Sequence, residues 1–253
     1  MERSRPAPPS VPRFSLVVPA WNEAALLPRL LDTVDVARAR FRRGPDAVEV
    51  IVADNASTDR TAALARDHGC TVVRVEKRSI AAARNGGARA ARGEVVAFVD
   101  ADMRVHPDTW NAIDDAIATG RYVGGATGVR PERWSPGILV TWLLLIPWVV
   151  LLRMDTGVVF VRREDFERVG GYEERRAFGE DVALLVALKR LGRSRGQTLA
   201  RVTSAKALVS MRKFDRHGDW HYFPLFAHLG VLMLRRPDAS TKLVRRYWYD
   251  DER

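Results

Sequence analysis

Short apolar runs that break off in polar clusters, each followed by a helix-patterned segment, restrict this 253-residue chain more than any other feature. Residues 14–18, Phe-Ser-Leu-Val-Val, stop at Pro19 as a buried strand does. Asn22 then stands where a helix N-cap is expected, ahead of Leu26, Leu27, Leu30, Leu31 and Val34 at helical spacing. A second strand is expected over residues 48–53, ending at Asp54-Asn55, with Thr58 or Asp59 opening the next helix. A third strand, residues 71–75, leads to an Ala-rich helix from Ser79 to Ala91, which Gly93 is placed to close as a C-cap. Residues 95–99 form a fourth apolar run that enters Asp100 directly.

Strand and helix alternating through short joins predict a mostly parallel sheet covered on both faces, an α/β fold. Ligands of such sheets bind beyond the carboxyl ends of the strands. The polar clusters Asn22-Glu23, Asp54-Asn55 and Asp100-Asp102 all fall at those ends. After residue 120 the periodicity weakens. A strand over residues 158–161 and a helix over 182–191, entered through Glu180-Asp181, are the clearest later elements.

Asp100-Ala101-Asp102 at the end of an apolar strand suits a hard divalent cation, Mn2+ or Mg2+. Such ions take oxygen ligands, keep several waters and share the remaining positions with substrate phosphates. The motif alone is a weak signal, because two aspartates at this spacing arise often in a charged chain.

Its setting is more specific. Val18-Pro19-Ala20-Trp21-Asn22-Glu23, Asp54-Asn55-Ala56-Ser57-Thr58-Asp59, Ala83-Arg84-Asn85-Gly86-Gly87 and Phe98-Val99-Asp100-Ala101-Asp102 occur in that order. Residues 156–163, Val169-Gly170-Gly171-Tyr172 and Gly179-Glu180-Asp181 follow them. Together they resemble the family 2 glycosyltransferases over roughly residues 14–215. The resemblance implies the GT-A fold, a nucleotide-binding α/β sandwich, and single-step inverting transfer from a nucleoside-diphosphate sugar. UDP is the commonest donor nucleotide among relatives, with GDP and dTDP open.

Residue by residue, the resemblance gives Asp54 the donor nucleobase, and Pro19 and Glu23 the nucleoside pocket. Ala20, Asn22 and Ala101 lie within the same donor-site motifs. Arg84 is implied near the base and diphosphate, Asp100 near the ribose and metal, Asp102 as principal metal ligand, and Asp181 as the base toward the acceptor. Glu180, Arg212 and His217 are accessory candidates, and the Arg212-Lys213 pair could contact the diphosphate or acceptor. The bland readings stand beside these: Asp54, Asp59 and Asn22 as caps, Glu180 as a first-turn acid, and Arg212-Lys213 as solvated. His68 and His106 read as structural. His217 and His221 lie where some relatives place a metal- or phosphate-contacting histidine.

Processive members of the family carry a Gln-x-x-Arg-Trp motif after the base and several membrane spans. This chain has neither, which favours addition of a single sugar. The acceptor, whether glycan, lipid-linked or small molecule, is not specified.

The chain divides into a disordered lead-in (residues 1–13), a nucleotide-binding half (about 14–103), an acceptor half (about 104–215) and a C-terminal apolar and basic extension (216–253). Forty-one Lys and Arg against 31 Asp and Glu give a formal charge of +10. That suits an anionic partner, although an Arg-rich composition also follows from a GC-rich genome. No nucleic-acid-reading module or concentrated basic helix is present, so a nucleic-acid partner is not expected. Cys70, the single cysteine, rules out an intramolecular disulfide and fits a buried structural thiol in a reducing cytoplasm.

The apolar runs 137–152 and 220–234, with Trp142, Trp148 and Trp220, suit a peripheral membrane interface at the inner face of the membrane. Core packing or a homodimer contact is the alternative. Two other readings share the fold: a catalytically idle nucleotide-sugar-binding scaffold, and a nucleotidyltransferase. The latter would carry a Gly-rich basic loop where this chain has residues 19–23.

Overall fold

The computed structural model describes residues 11–152, 154–176 and 179–220. Four parallel strands run in the order expected: β1 (Phe14–Ala20), β2 (Val48–Asp54), β3 (Thr71–Arg74) and β4 (Val95–Phe98). Three more follow: β5 (Tyr122–Pro131), β6 (Val159–Arg162) and β7 (Thr198–Val209). They assemble as one sheet in the order β3-β2-β1-β4-β6-β5-β7. Only β6 runs antiparallel to its neighbours β4 and β5, so the mostly parallel α/β expectation holds.

Successive side chains on a strand point to opposite faces, and β1 buries both. Leu16 and Val18 join a core with Leu27, Leu30, Leu31 and Val34 of helix α1 (Leu27–Ala39) and with Trp110 and Ile113 of α4 (Thr109–Ala118). Val17 joins the opposite core. Ala81 and Ala88 of α3 (Ile80–Ala90), Phe166 of α6 (Arg163–Arg168) and Leu184, Leu185 and Leu188 of α7 (Glu180–Arg193) pack there with Tyr172. Burial on two faces is why β1, β2 and β4 read as nearly continuous apolar runs.

Four local expectations are corrected. Asn22 does not cap α1, which begins at Leu27 on the Glu23 carbonyl. Asn22 instead adopts a left-handed φ of 53°, and its Oδ1 accepts the Thr58 amide at 2.8 Å. Helix α2 (Thr61–Asp67) is preceded by Arg60 rather than Thr58 or Asp59. The Asp59 carboxylate still accepts the Thr61 amide (2.9 Å) and, across the loop, the Ala24 amide (3.1 Å). Burial opposes ionisation of Asp59, but those bonds and the Thr61 hydroxyl hold its pKa below the usual value.

Gly93 is not a C-cap either: α3 closes at Ala91 in an extended conformation. The glycine is required by close approach, since a Cβ there would stand 2.7 Å from the Phe14 carbonyl carbon and the Ser15 nitrogen. Gly93→Ala is expected to lose about 1–3 kcal/mol of stability in urea unfolding. Unchanged stability would show that the 91–94 loop yields instead.

Lastly, among the described residues the core-packing alternative for the 137–152 run holds only at Gly137, Ile138 and Thr141. The run forms α5 (Pro136–Leu152), with Pro147 inside it and most of its described large side chains facing outward.

Pro12 and Arg13, counted with the lead-in, are held: the Pro12 carbonyl accepts the Glu94 amide at 3.3 Å, and Arg13 donates to Asp114 at 2.9 Å and also pairs with Glu94. Residues 1–10 of the expected disordered segment lie outside the described residues, as do His221 and all of the 220–234 run after Trp220. Cys70 is half-buried, and burial pushes its thiol up to about 11.

Candidate functional site

The carboxyl ends of β1, β2 and β4 open on one cavity of about 350 Å³. Its walls include Pro19, Ala20, Trp21 and Glu23 after β1, Asn55 after β2, and Asp100, Ala101 and Asp102 after β4. Arg84 of α3, Glu180 and Asp181 of α7, and Arg212 and Lys213 of α8 (Arg212–His217) complete it. Five carboxylates (Glu23, Asp100, Asp102, Glu180, Asp181) thus face four cations (Arg78, Arg84, Arg212, Lys213).

Arg84 organises the inner end. Its side chain is 4% exposed, and it donates through one terminal nitrogen to Glu180 (3.0 Å) and Asp181 (2.9 Å), and through the other to Asp100 (2.7 Å). A guanidinium's planar fork allows one cation to serve three carboxylates. Its centre also lies 5.1 Å from the Tyr172 ring centroid, a cation–π distance.

Burial raises the pKa of Asp181. Arg84 opposes that rise, Asp100 adds to it, and the Tyr172 hydroxyl, donating at 3.0 Å, opposes it. Glu180 is also pushed up, by burial first, with Arg84 opposing and Asp181 adding. Both acids occupy the first turn of α7, which Gly179 enters at a φ of 72°.

At the outer end Arg212 grips both oxygens of Glu23 at 3.2 and 3.0 Å and lies 3.6 Å from Asp102. Paired backbone bonds between Arg104 and Leu208 tie the chain after Asp102 to the end of β7, which sets α8 over the cavity. Asn55 holds the loop beyond β3: its Nδ2 donates to the Val75 and Lys77 carbonyls, and its Oδ1 accepts the Ser79 amide. Arg78 on that loop stacks on Trp21 at 4.0 Å.

Asp54 and Asn22 are not among the lining residues. Asp54 is buried, accepts the Ser57 amide at 3.1 Å and lies 3.8 Å from Arg74; Asn22 joins the two loops beside it. His217 is exposed at the end of α8, away from the lining. Asn55, from the cluster at the end of β2, and Lys213, beside Arg212, are in the lining; Trp21, Arg78 and Thr156 join it without having been singled out for it, and Tyr172 supports it. The Gly-Gly-Tyr signal pointed to the Tyr172 segment, but only the fold puts its hydroxyl on Asp181.

Among the described residues no three His, Cys, Asp or Glu side chains are grouped to cage a metal ion. Asp100 and Asp102 are a partly exposed carboxylate pair, with side chains 45% and 27% exposed. That donor set fits an ion that keeps waters and phosphate oxygens in its shell.

A family model described as Glycosyl transferase family 2 matches residues 15–166. Over 103 residues the chain is 37% identical to validoxylamine A glucosyltransferase of Streptomyces hygroscopicus subsp. limoneus, covering 38% of this chain and 22% of that protein. Over 131 residues it is 33% identical to an undecaprenyl-phosphate 4-deoxy-4-formamido-L-arabinose transferase of Pseudomonas paraeruginosa, covering 47% and 36%. The matches therefore span well under half the length of either relative.

Among solved structures, S. aureus TarS 1-349 in complex with UDP-GlcNAc superposes with a TM-score of 0.59 at 20% identity, over 78% of this chain and 58% of that one. A mannosyltransferase from Pyrobaculum calidifontis in complex with GDP-Man and Mn2+ gives 0.56 at 24% identity, over 77% and 55%. These likenesses establish the GT-A fold, and with the match across residues 15–166 this chain belongs to glycosyl transferase family 2.

Proposed function

We propose that the chain transfers one sugar from a nucleoside-diphosphate sugar, UDP-linked first among the candidates, to an acceptor hydroxyl or lipid phosphate, with inversion. The observation that carries this reading is the meeting of the Asp100/Asp102 pair with Asp181 in one cavity at the strand ends. The relatives' names, a glucosyltransferase and an undecaprenyl-phosphate sugar transferase, support both acceptor classes.

The donor enters along Pro19, Ala20 and Glu23, with Asp54 and Asn22 shaping the loops that receive its nucleoside. Asp102, with Asp100, would hold a Mn2+ or Mg2+ ion, which supplies charge neutralisation to the departing diphosphate. Arg212 and Lys213 add positive charge at the same mouth. The acceptor oxygen forms a bond to the anomeric carbon as the bond from that carbon to the diphosphate oxygen breaks, its electron pair leaving on the diphosphate. Asp181 accepts the hydroxyl proton as the bond forms. Arg84 and Tyr172 fix that carboxylate in place. An ionised phosphate acceptor brings no proton and needs no base.

Thermal unfolding in the presence of UDP, GDP and dTDP, with and without Mn2+, tests the donor site. One nucleotide with Mn2+ is expected to stabilise the chain by about 2.7 kcal/mol at a hundredfold excess over its Kd. Asp102→Ala should remove the part that depends on Mn2+. No response to any of the three, with or without Mn2+, would refute the donor assignment.

A further inference from the structure

Helix α5 presents a face that none of the proposed chemistry uses. Gly137, Ile138 and Thr141 turn inward, with the Thr141 hydroxyl bonded to the Gly137 carbonyl at 2.9 Å. The outward stripe carries Leu139, Leu143 and Leu144, then Val150 and Leu151, which are 47, 60, 57, 47 and 71% exposed. No charged residue occurs anywhere in its 17 residues. Helix α1 shows the ordinary arrangement: its outward positions include Arg29, Asp32 and Asp35. A contiguous apolar stripe on a surface helix marks a surface that meets something apolar.

We propose that α5 lies in the headgroup–acyl boundary of an anionic lipid bilayer, its outward stripe buried among the acyl chains. Length decides the orientation. Seventeen helical residues reach about 26 Å, short of the roughly 30 Å hydrocarbon core, so the helix rests in the plane. Among the described residues no helix is long and apolar enough to cross a membrane.

Two observations select a bilayer over a second protein surface. Trp134, 56% exposed, meets Trp142 edge-on at 5.8 Å near the start of α5, and Trp220, 54% exposed, adjoins Asp219, whose backbone packs on Gly137. Indoles favour the headgroup level. The segment entering α5 is tied to α8, Arg133 donating to Asp215 at 2.9 Å and to Asp219 at 3.2 Å. Helix α8 carries Lys213 and Arg216 beside that Asp215, on a chain of formal charge +10; that sign matches anionic headgroups. Since α8 also lines the cavity, docking would bring the bilayer surface beside its mouth. The docking itself rests on this surface and not on the proposed transfer.

The test is cosedimentation of the full chain with phosphatidylglycerol vesicles and with phosphatidylcholine vesicles, for the wild type and for a Leu143→Glu/Leu144→Glu variant. Wild type should pellet with phosphatidylglycerol, and the variant's bound fraction should fall about tenfold or more as two apolar anchors are lost. Both leucines are outward, so the variant should keep its thermal midpoint and its response to nucleotide. That response separates failure of docking from failure of the donor site. Wild type left in the supernatant with both lipids overturns the proposal, as does variant binding equal to wild type. Equal binding to the two lipids overturns the anionic preference. A wild-type dimer that the double substitution dissociates, with no vesicle binding, assigns the stripe to a second copy and overturns the proposal too.

Discussion

Asp181→Asn is expected to lower transfer to a hydroxyl acceptor by about 10²–10⁴-fold, the usual worth of a positioned general base, while nucleotide-induced stabilisation should stay at the wild-type level. Steady-state kinetics beside thermal unfolding reads both. The pH profile of the wild type carries the same assignment. Burial lifts the Asp181 pKa above the ordinary aspartate value, with Arg84 and Tyr172 opposing. The base is therefore charged only above that raised pKa, and kcat/KM should fall on the acid side at a pH above the usual aspartate range.

Linkage gives the sign for stability. A carboxyl whose folded pKa exceeds its unfolded value favours the fold fully below the unfolded pKa, and that favour is lost as pH rises through the folded pKa. At neutral pH the charged Asp181 thus costs stability, so the ligand-free Asn variant should unfold no earlier than wild type. Undiminished transfer to a hydroxyl by a folded Asp181→Asn protein would remove the residue from the base role. Transfer to a lipid phosphate should survive the same substitution, because an ionised phosphate brings no proton for the base to take.

Arg84→Met should be the most damaging single change in the site. Arg84 is buried, and Asp100, Glu180 and Asp181 all bond to its guanidinium. Removing it leaves three like charges facing one another. Breaking a buried ion pair in this one-sided way costs about 3–5 kcal/mol, and the base loses its fixed orientation. Urea unfolding at neutral and at mildly acidic pH identifies the cause. Without Arg84 the pKa values of Asp181 and Glu180, already raised by burial, rise further. Protonation then relieves the repulsion, and the deficit should shrink as pH falls. A deficit equal at both pH values would assign Arg84 to packing instead. Arg84→Lys keeps one charge but cannot fork among three acceptors, and should fall between the two.

β1, β2 and β4 were legible because each is buried on both faces, which leaves a nearly continuous apolar run closed by a polar cluster. β3, an edge strand with no buried residue, was legible from Gly69 and the short Val72-Val73 run that follows it. β5 was not legible. It contains Gly124, Gly125 and Gly128 and ends at Pro131, residues of low strand propensity. The fold wants the small residue there, since a Cβ on Gly125 would stand 2.3 Å from the Ala200 carbonyl oxygen on β7. α5 is apolar on all sides, so its periodicity gave no sign of which face is inside. Gly93 stood at a cap-like spacing for a reason that belongs to β1.

For the site, motif order brought Asp100, Asp102, Arg84 and Asp181 into one list, but it did not say which of them touch. Glu180 and Asp181 meet Arg84 across 96 and 97 residues, and Arg212 meets Glu23 across 189. By itself the sequence determined the α/β class and the strand ends, Asp100 and Asp102 among them, as the place of the cavity. Both follow from short-range alternation of apolar and polar residues, whereas the role proposed for the Asp100/Asp102 pair toward a cation comes from the family resemblance. Only the tertiary structure decided that Arg84 braces the acids, that Tyr172 supports Asp181, and that Arg212 closes the mouth. Those contacts depend on strand order and on one antiparallel strand inserted between β4 and β5, which no local pattern of residues encodes.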